Sequence, residues 1–230
     1  MKIATWNVNS LRVRLPHLAD WLAANPLDAI ALQETKLPDA DFPAADLQAL
    51  GWNSVFSGQK TYNGVAILSR VPALDVVAGI PGFEDEQRRV LAATIGDVRV
   101  IDVYVPNGQA VGSDKFAYKL RWFAALHDYV AAELARHPRL VVLGDFNVAP
   151  EDRDVHDPKA REGSVHVSPP ERAALQALQQ LGFADCFRLF EQPDKSYSWW
   201  DYRRMAFRRN AGLRIDLILA SDALAQKCAA

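Results

Sequence analysis

The chain has 230 residues, half of them apolar, enough to bury a substantial core. Its 26 basic and 28 acidic side chains leave a formal charge of -2, which excludes coating of nucleic acid or membrane by bulk attraction; a polyanion has to be met locally. No apolar run approaches the roughly 20 residues of a membrane span, the N-terminus carries no apolar signal core, and Cys186 and Cys228 lack the spacing of a disulfide framework or thiolate zinc site. The expectation is one cytoplasmic domain over residues 1–230.

In chain order, a short apolar run predicts a first strand over 2–7, followed by a helix over 16–24 that buries Leu18, Trp21 and Leu22. Strands are expected over 29–33, over 64–68 after the turn Tyr62-Asn63-Gly64, and over 98–105. The strongest helix runs from Lys115 to Arg136, with Phe116, Leu120, Phe123, Val130 and Leu134 as its apolar stripe, and Pro138 stops it. A strand follows over 140–143. Ser168-Pro169-Pro170-Glu171 is a capping-box opening for a helix carrying Leu175, Leu178 and Leu181 and ending at Gly182, before a last strand over 214–220. Strands apolar on both faces, alternating irregularly with helices, read as a mixed-sheet α/β sandwich rather than an all-parallel barrel.

Four strands finish in groups that bind metal or phosphate: Asn7-Val8-Asn9, Gln33-Glu34-Thr35-Lys36, Tyr104-Val105-Pro106-Asn107 and Asp145-Phe146-Asn147. The strand period of two sends Asn7 and Asn9 to one side, about 6.5 Å apart along the strand, and Asp145 and Asn147 likewise, so each pair could line a single site. Oxygen donors, few carboxylates and no thiolate suit Mg²⁺, with Glu34 as first ligand. Asp145 is then suited to take a proton from an attacking water and Asn147 to orient it, which is metal-assisted phosphodiester hydrolysis. Taken singly, a strand-end Asp or Asn is a turn or cap residue, Glu34 with Lys36 a surface pair, and Tyr104 a strand aromatic. The coincidence of four such ends favours a site.

Between Asp201 and Arg214 lie Arg203, Arg204, Arg208, Arg209 and Arg214, a local charge of +4 beside Trp199, Trp200 and Tyr202. Arginines next to aromatics can hold phosphates and stack on an opened base step; the alternative is an exposed basic loop. Arg88-Arg89 is a weaker candidate for the same role, since paired arginines are usually solvated.

The stretches WNVNSLR, LQETK, YVPN, GDFN, SWWDYR and LRID occur in the order found in the exonuclease III branch of the endonuclease/exonuclease/phosphatase superfamily, which the sequence resembles over almost its whole length. That resemblance implies a four-layer αββα sandwich of two packed mixed β-sheets flanked by helices. It implies Mg²⁺- or Mn²⁺-dependent cleavage of double-stranded DNA 5′ to abasic sites in base excision repair, with 3′-end exonuclease or 3′-phosphodiesterase trimming. A monomer is expected, although the sequence does not read out an oligomeric state. Glu34 with Asn7 would bind the metal, Tyr104 the phosphate, and Asp145 with Asn147 would handle the nucleophile, while Asp216 would orient a histidine. Trp199, Leu213 and Ile215 would receive a flipped abasic sugar, with Trp200, Arg203, Arg204, Asn107 and Lys36 as further DNA contacts. The family's closing Ser-Asp-His strand has no counterpart before Ala230, so the expectation includes an incomplete chain or a crippled DNA-binding form. A phosphodiesterase acting on phosphoinositides is the other reading left open.

Overall fold

The computed structural model describes residues 1–229. They pack as two compact units: Met1–Tyr104 with His137–Asp145, and Val105–Arg136 with the chain from Phe146 onward.

In the first unit, β1 (Ile3–Asn7), α1 (Leu11–Ala24), β2 (Ala29–Gln33), α2 (Ala44–Ala49), β3 (Asn53–Ser57) and β4 (Val65–Ser69) build one sheet and its covering helices. The strand order is β1-β2-β4-β3, with β1 parallel to β2 and the other pairs antiparallel. Then come β5 (Ala73–Ala78), β6 (Val90–Ile95), β7 (Val98–Tyr104) and β8 (Leu140–Asp145), which hydrogen-bond in that order, with β7 parallel to β8. The two mixed sheets pack face to face, β1 and β2 on β8 and β4 on β6 and β7. This sandwich explains why β2, β4 and β8 are buried at every position. Leu11, Leu18 and Leu22 of α1 seal the outer face over Ile30, Leu32 and Leu68. Gly144 allows β8 its close approach to β7: a Cβ there would stand 1.9 Å from Val103 O, at a φ of +142°.

The second unit holds α3 (Asp114–Arg136), α4 (Pro158–Arg161), α5 (Pro169–Gln179), β9 (Phe183–Asp185), β10 (Trp199–Trp200), β11 (Gly212–Leu213), β12 (Asp216–Ser221) and α6 (Asp222–Ala225). Here α3 packs on α5, β10 pairs with β11, and β12 pairs with β9. The predicted capping box is present at Ser168 and Glu171.

Several expectations change. Helix α1 starts at Leu11 and carries Pro16 inside it, and Trp21 faces solvent at 39% exposure because the buried line runs through Leu11, Leu18 and Leu22. The stripe of α3 buries Lys119 and Glu133, while Leu120 and Leu134 are only half-buried; the charged positions are compensated by ion pairs with Glu171 and Arg136. Strands β3, β5, β6 and β9 are not among the expected ones; β5 leaves Leu74 and Val76 exposed, so its apolar content marks no buried face. The strand period also stops at Asn7 and Asp145, since Asn9 and Asn147 have φ of +44° and +50°. Arg214 is no surface cation. It is 3% exposed and bound by Asp154 and Asp185.

Candidate active site

Asn7, Glu34, Tyr104 and Asp145, each at or just past the end of a strand of the first unit, meet in one cluster. The Asn7 Nδ2 group donates to Glu34 Oε1 at 2.8 Å and to Asp145 Oδ2 at 2.9 Å. Tyr104 Oη donates to the same Glu34 Oε1 at 3.0 Å. Lys36 Nζ stands 2.8 Å from Glu34 Oε2 and also donates to Asn9 Oδ1. The Asn9 N–H in turn donates to Asn7 Oδ1 at 3.0 Å, so a side-chain turn, not strand alternation, orients the Asn7 amide. Glu34 and Lys36 hold positive φ of 54° and 55°, the backbone turn that brings both back to the strand end.

Burial alone would raise the Glu34 pKa, but hydrogen bonds from Lys36, Asn7 and Tyr104 and the Lys36 charge outweigh it and hold the carboxyl below its usual range. Tyr104 moves the other way. Burial and the Glu34 and Asp145 charges push its phenol far above the ordinary tyrosine range, so it is a neutral hydrogen-bond donor. Arg89 lies over the Tyr104 ring, 4.5 Å from its centroid, and donates to Tyr104 O at 3.0 Å. Arg89, of the weaker candidate pair Arg88-Arg89, is thus held against the cluster rather than left to solvent. Beneath the cluster, Gln33 donates to Thr5 Oγ1 at 3.0 Å and to Asp102 Oδ1 at 2.6 Å. Burial raises the Asp102 carboxyl well above its ordinary value, outweighing that bond.

The donors of this cluster test whether a divalent cation fits. Glu34 is ionised, Asp145 and Asn7 add only oxygen and amide groups, and no group of three His, Cys, Asp or Glu gathers among the described residues. One or two carboxylates with amide oxygens suit a hard cation that keeps several waters, and do not suit zinc. The residues fit a Mg²⁺-class ion.

The second unit carries the remaining predicted residues. Asn147 donates to Val105 O at 2.9 Å and accepts from Asn107 Nδ2 at 3.3 Å. The same Asn107 group lies 2.9 Å from His166 Nε2, which must be the acceptor because an amide nitrogen only donates. Burial, then the Lys119 and Arg161 charges, lower the His166 pKa to about 3, so the ring is neutral. His166 meets Trp199 edge to face, at 6.4 Å between ring centroids. Trp199 packs against Leu213, Ile215, Val155, Val167 and Ala149; Leu213 is 1% exposed, a wall of that cluster and not a surface contact. Asp216 opens β12, and Ser198 Oγ accepts from its N–H at 3.0 Å. Trp200 is half-buried and donates to Asn210 Oδ1 at 3.0 Å. Arg203 pairs with Asp201 at 2.8 Å, while Arg204 lies in an exposed tip with Tyr202, Met205 and Phe207.

His166 and the buried Lys119, with the part Glu171 plays beyond its capping box, went unread in the sequence. Only Lys119 had a signal, a charge at the buried spacing between Phe116 and Phe123.

The model of the endonuclease/exonuclease/phosphatase family matches residues 4–230. An exodeoxyribonuclease of Bacillus subtilis is 35% identical over 99% of this chain and 90% of its own length. A 3′ phosphatase from Neisseria, solved with a product DNA hairpin, superposes with a TM-score of 0.97 at 53% identity, covering 98% of this chain and 88% of that one. An AP endonuclease from Archaeoglobus fulgidus gives a TM-score of 0.94 at 39% identity, with the same coverage of 98% and 88%. The fold is therefore that of the AP endonucleases, an α/β arrangement of two mixed sheets flanked by helices. Nucleases of this family generally depend on a divalent metal.

Proposed function

We propose, from the premise that the chain belongs to the endonuclease/exonuclease/phosphatase family and to its exodeoxyribonuclease III and AP endonuclease group, that it is a DNA-repair hydrolase using Mg²⁺ or Mn²⁺. It trims blocked 3′ ends and cleaves 5′ to abasic sites. The observation that carries this reading is the Asn7 amide shared by Glu34 and Asp145, with the Tyr104 phenol on the same Glu34 oxygen. Glu34 with Asn7 would hold the divalent cation, which would supply Lewis-acid polarisation of a phosphoryl oxygen. Asp145 takes the proton of the attacking water, and Asn147 orients that water or the phosphate. Tyr104, neutral at any working pH, donates to the phosphate in exchange for its bond to Glu34 Oε1, without adding charge. Asn107 serves as a second amide donor by giving up its 3.3 Å bond to Asn147 Oδ1, and Asp216 would orient a histidine, the role the resemblance implies for it. Trp199, Trp200, Arg203 and Arg204 hold the DNA, with Leu213 walling the Trp199 pocket, and Lys36 balances the charge of Glu34. The monomer is the working form.

Of the two activities, 3′-end processing ranks first, because the 53% identical relative is a 3′ phosphatase whereas the AP endonuclease is 39% identical. Two duplexes test this, one ending in a 3′-phosphate at a nick and one bearing an internal abasic analogue, each with Mg²⁺ or EDTA. The expected result is metal-dependent phosphate release from the first, faster than nicking of the second. Absence of both reactions would sink the reading, and faster nicking would reverse the order.

A further inference from the structure

Lys119 and Glu171 form a fully buried ion pair in the second unit, both side chains at 0% exposure and Nζ 2.5 Å from Glu171 Oε1. An exposed glutamate would serve equally well as the third residue of the capping box that opens α5. Burying the pair brings a desolvation penalty that two apolar residues of similar volume avoid. Its other bonds indicate what it accomplishes. Lys119 Nζ also donates to Asn147 O at 2.8 Å and to Asn107 O at 3.2 Å, so its three protons have three acceptors. Both carbonyls belong to residues whose side-chain amides are assigned above to water and phosphate. Asn147 sits at a left-handed φ of +50°, a conformation asparagine adopts readily, and the lysine bond fixes the direction of its carbonyl there. Glu171 reaches the same amides by a second route: Oε1 accepts from His166 N at 3.0 Å, Oε2 is held by Ser168, and the His166 ring meets Asn107 Nδ2 at 2.9 Å. The loop after Asn107 closes over the lysine stem, where a Cβ on Gly108 would lie 3.1 Å from Lys119 Cδ.

We infer that Lys119 and Glu171 are positioning residues for the reaction, holding the Asn147 and Asn107 backbones so that their side-chain amides keep one orientation. This rests on the proposed function for its kinetic consequence, but not for its geometric one.

The test is the double variant Lys119→Met with Glu171→Gln, which removes both charges together and leaves an acceptor for the cap. The expected result is thermal stability near that of the parent, kcat on the 3′-phosphate duplex at least 10-fold lower, and KM for DNA changed less than about 3-fold. The ¹H–¹⁵N signals of the Asn107 and Asn147 side-chain amides should shift and broaden. In a cycle with Asn147→Ala, the kcat losses should fall short of additive, as expected for groups acting through one residue. Should the double variant not fold, Lys119→Arg keeps the charge but replaces a compact three-way donor by a planar fork, and the same amide signals should move. Unchanged amide signals with undiminished kcat, or strictly additive losses, would overturn the inference. An inactive parent would count against the proposed function alone, because the amide signals are read without substrate.

Discussion

Asn7 and Asp145 lie 138 residues apart in the chain and 2.9 Å apart where the Asn7 amide donates to Asp145 Oδ2. The same nitrogen donates to Glu34, so one neutral group keeps two carboxylates at a fixed spacing without cancelling either charge. Asn7→Ala should therefore lower kcat by about 10²- to 10³-fold, the usual cost of losing a preorganised donor. Asp145→Asn should cost about 10²- to 10⁴-fold as a lost proton acceptor. Single-turnover cleavage with saturating Mg²⁺ measures both, and a loss under 3-fold for either would remove that residue from the reaction.

Asp102 makes the stability of the fold depend on pH. Burial holds its carboxyl protonated well above the ordinary range, despite the Gln33 hydrogen bond. The unfolded chain releases this proton near pH 3.9. The stabilising contribution is thus complete below that value and is lost as pH rises through the folded-state pKa, at up to about 1.4 kcal/mol per unit. Asp102→Asn keeps the shape and removes the titration. Its stability relative to the parent should grow from pH 4 to pH 7 in urea unfolding, and a difference independent of pH would contradict this.

His166 should stay neutral in the folded protein down to about pH 3, because burial and then the Lys119 and Arg161 charges oppose protonation. Here the sign is reversed for acid. An unfolded histidine binds a proton near pH 6.5, so stability declines as pH falls from there toward the folded value. Ring ¹⁵N shifts followed from pH 8 to pH 4 should show one neutral tautomer throughout. A midpoint near 6 would show that the ring is more accessible than its burial indicates.

The exposed arginines of the tip at 202–209 should govern the salt dependence of DNA binding. Arg204, Arg208 and Arg209 have exposed side chains, whereas Arg203 is drawn toward Asp201. Replacing the first three by Ala should flatten the slope of log K against log salt by up to about 3, at roughly 0.9 for each phosphate no longer neutralised. Fluorescence anisotropy across a salt series reads this, and an unchanged slope would leave the tip as solvated surface.

Much of the fold was legible because burial on both faces leaves unbroken apolar runs. Strands β2, β4, β7 and β8 were located to within two residues for that reason. Strand β5 was not, since Asp75 interrupts its apolar run. In α3 the spacing of three and four was read through Leu120, and the helix instead buries Lys119, whose charge carries no hydrophobic signal. Arg214 misled in the opposite sense: it counted toward a basic stretch, and its charge is consumed internally by Asp154 and Asp185.

By itself the sequence determined which residue types close each strand, and Asn7, Glu34, Tyr104 and Asp145 were visible because polar groups that end apolar runs need compensation. Only the tertiary structure decided how that compensation is arranged. Three-dimensional packing set the shared amide of Asn7, the lysine beside Glu34, the arginine over Tyr104 and the buried pair behind Asn147 and Asn107. The physical reason is that hydrogen bonds and charge pairing act over a few ångströms in space, a distance that separation along the chain does not encode.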